Sequence, residues 1–249
     1  MEEKHLLSSV AESIAASPNS GTLPSCPEMQ RHQPRRRFSR LPCTSHIKDA
    51  AISAINSDFN QYRHVQGVCD HVAIMMNQMH GLVVNPLTDI AICCGQTEAF
   101  AAAAFSIIDK GDEVVLFDPC YETYEGCIKL AGGVPVYYST VLTIQPAKNC
   151  LAITDEVYEH ITFNSEKHIS LASFPGMQKR TIITSSLSKT FSVTGWRVGW
   201  AIAPSFIASA IRNIHVKVTD SAPAPFQEAA LTALRSPPEY FESLRSDYE

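Results

Sequence analysis

SSLSKTFSVTGWRVGW, residues 185–200, is the stretch on which the reading of this chain turns. Thr181, Ile182, Ile183 and Thr184 lead into it, a β-branched run that reads as a buried strand. Small hydroxyl residues follow, then Lys189, then Gly195, Trp196, Arg197 and Gly199. An unpaired ammonium in a dry site is costly, so a lysine held just beyond a buried strand loses its charge more readily. It thereby becomes a good amine nucleophile toward carbonyls. Ser186, Ser188 and Arg197 surround it with anion-binding groups.

A lysine amine beside groups that bind a phosphate is what a pyridoxal phosphate site requires. Taken alone, Ser-x-x-Lys reads equally well as a turn with a solvated lysine and an arginine on the following segment. The rest of the chain decides between the two.

At 249 residues the chain can bury a core and form one domain or somewhat more. Its 45% hydrophobic and 18% charged content is that of a soluble globular protein. A formal net charge of -5 gives no reason to expect nucleic acid or an anionic membrane as partner. No apolar run approaches the roughly 20 residues of a membrane span. The eight cysteines are irregularly spaced, with Cys93 and Cys94 adjacent and no Cys-x-x-Cys pair. Reduced thiols, rather than a zinc site or disulfide framework, are expected. The histidines show no His-Glu-x-x-His pattern, and no metal is expected.

Residues 1–45 are rich in Ser, Pro and Arg and lack periodicity, which predicts a disordered N-terminal arm. An organelle transit peptide is the rival reading, opposed by Glu2, Glu3, Glu12 and Glu28. Residues 46–249 form the folded part. Helical spacing runs over 47–56 and again through His80. Strands are expected at 89–94, 113–118, 134–138, 151–155, 181–184 and 199–203. Helices are expected over 98–108, from Tyr121 and Tyr124 onward, over 206–217 and over 226–234. Alternating strands and helices predict an α/β fold, a three-layer, mostly parallel sheet covered on both faces. Ligands in such sheets sit at the carboxyl ends of strands. Gly95, Gln96 and Thr97, then Tyr121, then Asp155 with Tyr158, then Ser186 with Lys189 all fall just after strands, which points to one shared site. The Gly95–Thr97 turn opens a helix, where free N–H groups and the helix dipole suit a phosphate.

The lysine stretch together with the Asp155–Tyr158 string DEVY resembles the class I/II aminotransferases of pyridoxal-phosphate fold type I. The nearest look is to the kynurenine, glutamine and methionine transaminase branch in a plant-like version, from about Ile47 to the C-terminus. The resemblance implies pyridoxal 5'-phosphate as cofactor, an amino acid and a 2-oxo acid as substrates, and a homodimer. It implies that Lys189 tethers the cofactor and moves the proton at the substrate α-carbon, and that Asp155 faces the pyridine nitrogen. It also implies that Tyr158 bonds the ring 3′ oxygen, that Tyr121 stacks on the ring, and that Gly95, Gln96, Thr97, Ser186 and Arg197 form the phosphate cup. Tyr62 corresponds to a tyrosine that reaches the phosphate of the neighbouring subunit. For Asp155 a helix N-cap is the ordinary alternative, and for Tyr121 a core aromatic.

The chain departs from that family in three ways. Only Ser139–Asn149 lies where the family has a longer segment with a strand and an Asn-Pro-Thr-Gly-like turn. The family arginine for the substrate carboxylate lies beyond Glu249, with most of the small domain. The N-terminal glycine-proline segment is not recognisable. A truncated, alternatively spliced or wrongly assembled gene product with an internal deletion is therefore expected. Ser139–Asn149 spans roughly 36 Å at most, too little for a packed crossover helix. Strands 113–118 and 151–155 must then pair directly or leave a gap. A catalytically impaired cofactor-binding remnant or dimer partner, and a carbon–sulfur lyase of the same fold, are the alternative functions. The expected compartment is cytoplasmic, with plastid or mitochondrion as alternatives.

Overall fold

The computed structural model describes residues 41–139, 150–164 and 166–249, together with residues 8, 10, 11 and 14. The expected N-terminal arm lies almost wholly outside the described residues, as does the 140–149 link.

Helices α1 (Ser45–Asn56) and α2 (Gln66–His80) precede strand β1 (Ile90–Cys93) and helix α3 (Gln96–Ile107). Then come β2 (Glu113–Phe117), α4 (Glu122–Leu130), β3 (Val134–Tyr138) and β4 (Ala152–Asp155). Strands β5 (Thr181–Ser186) and β6 (Gly199–Ile202) flank the lysine loop, and α5 (Ser205–Val218), α6 (Ala224–Leu234) and α7 (Pro238–Tyr248) follow. Tyr121 stands at the N-cap of α4 rather than within it. Helix α7, with proline in its first turn, is an element the apolar pattern did not single out.

Four strands form a sheet in the order β1-β6-β5-β4. β4 and β5 are parallel, whereas β6 runs antiparallel to both β1 and β5. The expected mostly parallel sheet is thus a mixed one in which β6 runs against its neighbours. The strand period of two sorts its side chains onto two faces. Ile90, Ile92, Ile183, Trp200 and Ile202 enter one core with Ile47, Val68, Val72, Met76 and Ala230 from α1, α2 and α6. Ala91, Cys93, Ile182 and Ala201 enter the other with Ala99, Ala103, Ile207 and Ile211 from α3 and α5. The small residues on this second face let α3 lie close to the strands. The described cysteines are all free thiols.

β2 and β3 pair in parallel as a separate two-stranded sheet. Among the described residues no strand pairs with the outer edge of β4 or with β2 on its far side. Of the two outcomes expected from the short link, the described residues therefore show the gap. Burial follows the pairing: every residue of β1, β5 and β6 is buried, while every residue of β4 is only partly so. A third, small core of Phe100, Ala104 and Cys127 joins α3 to α4 and touches Ile153 of β4. Helix packing, not a strand ladder, connects the two sheets.

Candidate active site

β5 delivers Ser185 and Ser186 fully buried to its carboxyl end, and the chain then turns through Lys189. The turn is pinned from several sides. The backbone N–H of Ser188 donates to Ser186 Oγ at 3.3 Å. Thr194 Oγ1 donates to the Ser188 carbonyl at 3.1 Å. Tyr240 of α7 donates its hydroxyl to the Thr190 carbonyl at 2.8 Å and stacks on Phe191 with ring centroids 5.3 Å apart. Helix α7 therefore holds the lysine loop.

The turn after β1 meets the residues after the lysine. Gly95 has φ 82°, a left-handed value that glycine alone takes without strain. A Cβ on Gly95 would lie 2.4 Å from Arg197 Nη2, so the guanidinium lies directly against the turn. Gly199 is equally constrained, since a Cβ there would lie 2.6 Å from the backbone nitrogen of Gln96 and 2.8 Å from the Ser185 carbonyl oxygen. The Gln96 amide donates to Thr184 Oγ1 on β5 at 3.1 Å. Arg197 donates from Nη1 to the Thr194 carbonyl at 2.9 Å and from Nη2 to the Cys94 carbonyl at 3.2 Å. Gly95, Gln96, Ser186 and Arg197 are thus gathered at the N-terminus of α3, whose first N–H groups have no partner within the helix. Thr97, in the same turn, is exposed.

Glu98 secures this turn, and sequence reading missed it. One carboxylate oxygen accepts from the Cys94 N–H and from His215 Nδ1 at 2.9 Å. The other accepts the Thr219 hydroxyl at 2.6 Å. Burial works to raise the Glu98 carboxyl, but the His215, Thr219 and Cys94 hydrogen bonds outweigh it and hold it low. An acidic residue in the first turn of the helix is the only local signal of it; with Gly95 rather than Ser or Thr at the N-cap, the capping-box pattern is incomplete.

Asp155 ends β4. Its Oδ2 accepts the Tyr124 hydroxyl at 2.5 Å and its Oδ1 the Val157 N–H at 3.3 Å. Burial raises its carboxyl, against the Tyr124 and Val157 hydrogen bonds and the positive charge of Lys189. Lys189 Nζ lies 5.6 Å from the centroid of the Tyr158 ring. Tyr121 packs edge-on against Tyr124 at 5.5 Å and remains 41% exposed. Tyr62 does not join the group: it is 78% exposed, in the segment before α2. A cleft of about 360 Å³ lined by Asp89, Thr181 and Ile183 opens at the other end of β5 and is separate from these residues.

Behind the Asp155 turn, Glu159 is fully buried with its Oε1 accepting from Ser185 Oγ at 3.0 Å. Burial pushes its carboxyl up to about 8, helped by the charge of Glu156 and opposed by the Ser185 hydrogen bond. The fold therefore holds a proton there that the unfolded chain releases near the ordinary carboxylate value. Its stabilising contribution is complete below that value and is lost as pH rises toward about 8. We expect the melting temperature of Glu159→Gln to fall less between pH 6 and 9 than that of the parent, and to exceed it above pH 8. Parallel slopes in thermal melts across that range would contradict this.

The donor set fits pyridoxal phosphate. A guanidinium, a buried serine and a helix N-terminus can take a phosphate, a carboxylate can face a ring nitrogen, and a tyrosine and a lysine amine stand beside them. The family model for class I and II aminotransferases matches residues 36–141 and 139–248. Kynurenine–oxoglutarate transaminase of Dictyostelium discoideum is 32% identical, over 82% of this chain and 62% of its own length. Methionine aminotransferase of Escherichia coli is 30% identical, over 76% of this chain and 61% of its own. Among solved structures, N-succinyldiaminopimelate aminotransferase of Mycobacterium tuberculosis superposes with a TM-score of 0.79 at 27% identity, covering 85% of this chain and 68% of that one. The chain spans about three fifths of the length of the curated relatives it matches.

Proposed function

The chain belongs to the class I and II aminotransferases, and from that membership we propose that residues 46–249 are a pyridoxal-phosphate-binding large domain that moves an amino group from an amino acid to a 2-oxo acid. The observation that carries this reading is the convergence of Lys189, Asp155 and Tyr158 with the Gly95 turn and Arg197. When bound, the cofactor supplies an electron sink for the carbanion left at the substrate α-carbon.

The chain's own residues do the rest. Gly95, Gln96, Ser186 and Arg197 bind the phosphate and fix the register of the ring, with Thr97 at the exposed rim. Asp155 keeps a proton on the ring nitrogen; its Oδ2 is already oriented by Tyr124. Tyr158 donates toward the ring oxygen, and Tyr121 covers the ring. Lys189 Nζ serves as the covalent anchor and, once released, as the base at the substrate α-carbon. In a homodimer, Tyr62 is the residue free to reach the neighbouring subunit's phosphate. The donor falls in the kynurenine, glutamine, methionine or aromatic class. No described helix is long and apolar enough to cross a membrane, and a cytoplasmic location is the simplest proposal.

The edges of β2 and β4, unpaired among the described residues, favour a second element to this reading: cofactor binding outlasts turnover. The absorbance spectrum of the purified chain, before and after adding an amino acid, tests both. We expect a cofactor band that shifts with methionine or kynurenine, and turnover well under the enzyme median of about 10 per second. A chain without the band refutes the site, and a rate at that median refutes the impairment. Thiol release in place of a keto acid would instead mark a carbon–sulfur lyase.

A further inference from the structure

We propose that His80, Glu156 and His168 form a binding site for one divalent transition-metal ion of the zinc class, which clasps the end of α2 to the turn that follows Asp155.

The three residues come from separate segments: the last residue of α2, the residue after β4, and the loop before Ser170. One ligand atom from each lies within 4.8 Å of the others. Glu156 is almost fully buried, and its two oxygens are differentiated. Oε1 accepts hydroxyls from Thr154 and Ser170, both at 2.8 Å. Oε2 is turned to His168 Nε2 at 2.9 Å. The rings of His80 and His168 meet edge to face with centroids 5.4 Å apart. His80 Nε2 is buried and has no hydrogen-bond partner.

An unpaired buried nitrogen is disfavoured and calls for an explanation, and an ion beside it supplies one. Zinc holds nitrogen and oxygen ligands at about 2.0–2.2 Å, which sets tetrahedral ligand atoms roughly 3.4 Å apart. The His168–Glu156 pair, 2.9 Å apart, has to open by about 0.5 Å to take an ion between them, and His80 has to close by up to about 1.4 Å. Two imidazoles and a carboxylate are a recurrent three-ligand set that leaves a fourth position for water. The two hydroxyls on Glu156 Oε1 are the outer hydrogen bonds that orient such a ligand. His168 retains 26% of its side-chain exposure, which gives the ion a path in. The cluster of Cys93, Glu98 and His215 is the weaker candidate, because all three of its side chains have hydrogen-bond partners, whereas His80 Nε2 has none. The sequence offered no hint because no two of the three ligands share a local spacing motif.

The full-length chain, stripped with a chelator, is titrated with Co²⁺ and with Zn²⁺ in the absence of amino acid. One equivalent should bind, with visible cobalt bands and no thiolate-to-cobalt absorption, and Zn²⁺ should raise the melting temperature. His80→Ala and His80→Asn remove no hydrogen bond seen in the structure, and each should weaken binding by at least about 100-fold. Cys93→Ser should leave binding unchanged. No stoichiometric binding, undiminished binding in both His80 variants, or a thiolate band that disappears with Cys93→Ser would each overturn the assignment.

Discussion

On the proposed assignment Lys189→Ala removes the covalent anchor of the cofactor, and we expect it to abolish borohydride fixation and to lower transamination by at least about 10,000-fold, the upper end of what one acid/base group contributes. The size of the effect follows from the double role of one amine. Lys189 follows a fully buried strand, and its loop is fixed by the Tyr240 hydroxyl and the Phe191–Tyr240 stack. Its positive charge reaches Asp155 on the neighbouring strand. Among the described residues no other lysine follows a buried strand beside a serine pair and an arginine. Peptide mapping of the reduced protein should find the cofactor on Lys189, while Lys189→Arg keeps the charge and the fold but carries no label. Label on another lysine, or label retained in Lys189→Ala, would refute the assignment.

The second large effect concerns Arg197. Arg197→Ala should weaken cofactor binding by about 2–5 kcal/mol, the usual cost of removing one partner of a buried charge pair. That corresponds to roughly 30-fold to several-thousand-fold in Kd. The structure explains why the loss should be specific. The guanidinium is held by the Thr194 and Cys94 carbonyls and lies against Gly95, so it meets an incoming phosphate without reorganising. Arg197→Lys should recover only part of the affinity, since an ammonium lacks the bidentate fork. Equilibrium titration with pyridoxal phosphate measures both variants. Unchanged affinity in Arg197→Ala would reduce the residue to a structural brace for the Cys94 turn.

The candidate site was legible in the sequence where its residues are written locally. Lys189, Arg197 and the serines lie within a dozen residues, and Asp155 and Tyr158 share one turn. The strands were legible because Ile182–Ile183 and Ile90–Ile92 are apolar on both faces. What holds the site in place was not legible. Glu98 reaches His215 and Thr219 more than a hundred residues on, Tyr124 reaches Asp155 from another helix, and Tyr240 reaches Thr190 from the last one. Such pairs leave no periodicity in a single sequence. The direction of β6 was also hidden, because a four-residue strand buried on both faces reads the same in either direction.

That direction of β6 has a consequence for how the polypeptide acquires its shape during synthesis. Ile92 pairs with Trp200, and among the described residues β1 has no other partner in the sheet. β1 therefore leaves the ribosome on the order of a hundred residues before the strand that will shelter it. At typical elongation rates of 5–20 residues per second this is roughly 5–20 s. Its four apolar residues have to spend that interval against α3 or bound to a chaperone. β2, α4 and β3 lie close together in sequence, so pairing of the small sheet does not have to wait for the strand that completes the large one. Closure of the main sheet is then a late, non-local step, and non-local closure is the slow kind. Because β6 also carries Gly199, whose backbone abuts Gly95 and Gln96, the turn at Gly95 takes its final form only at that same moment.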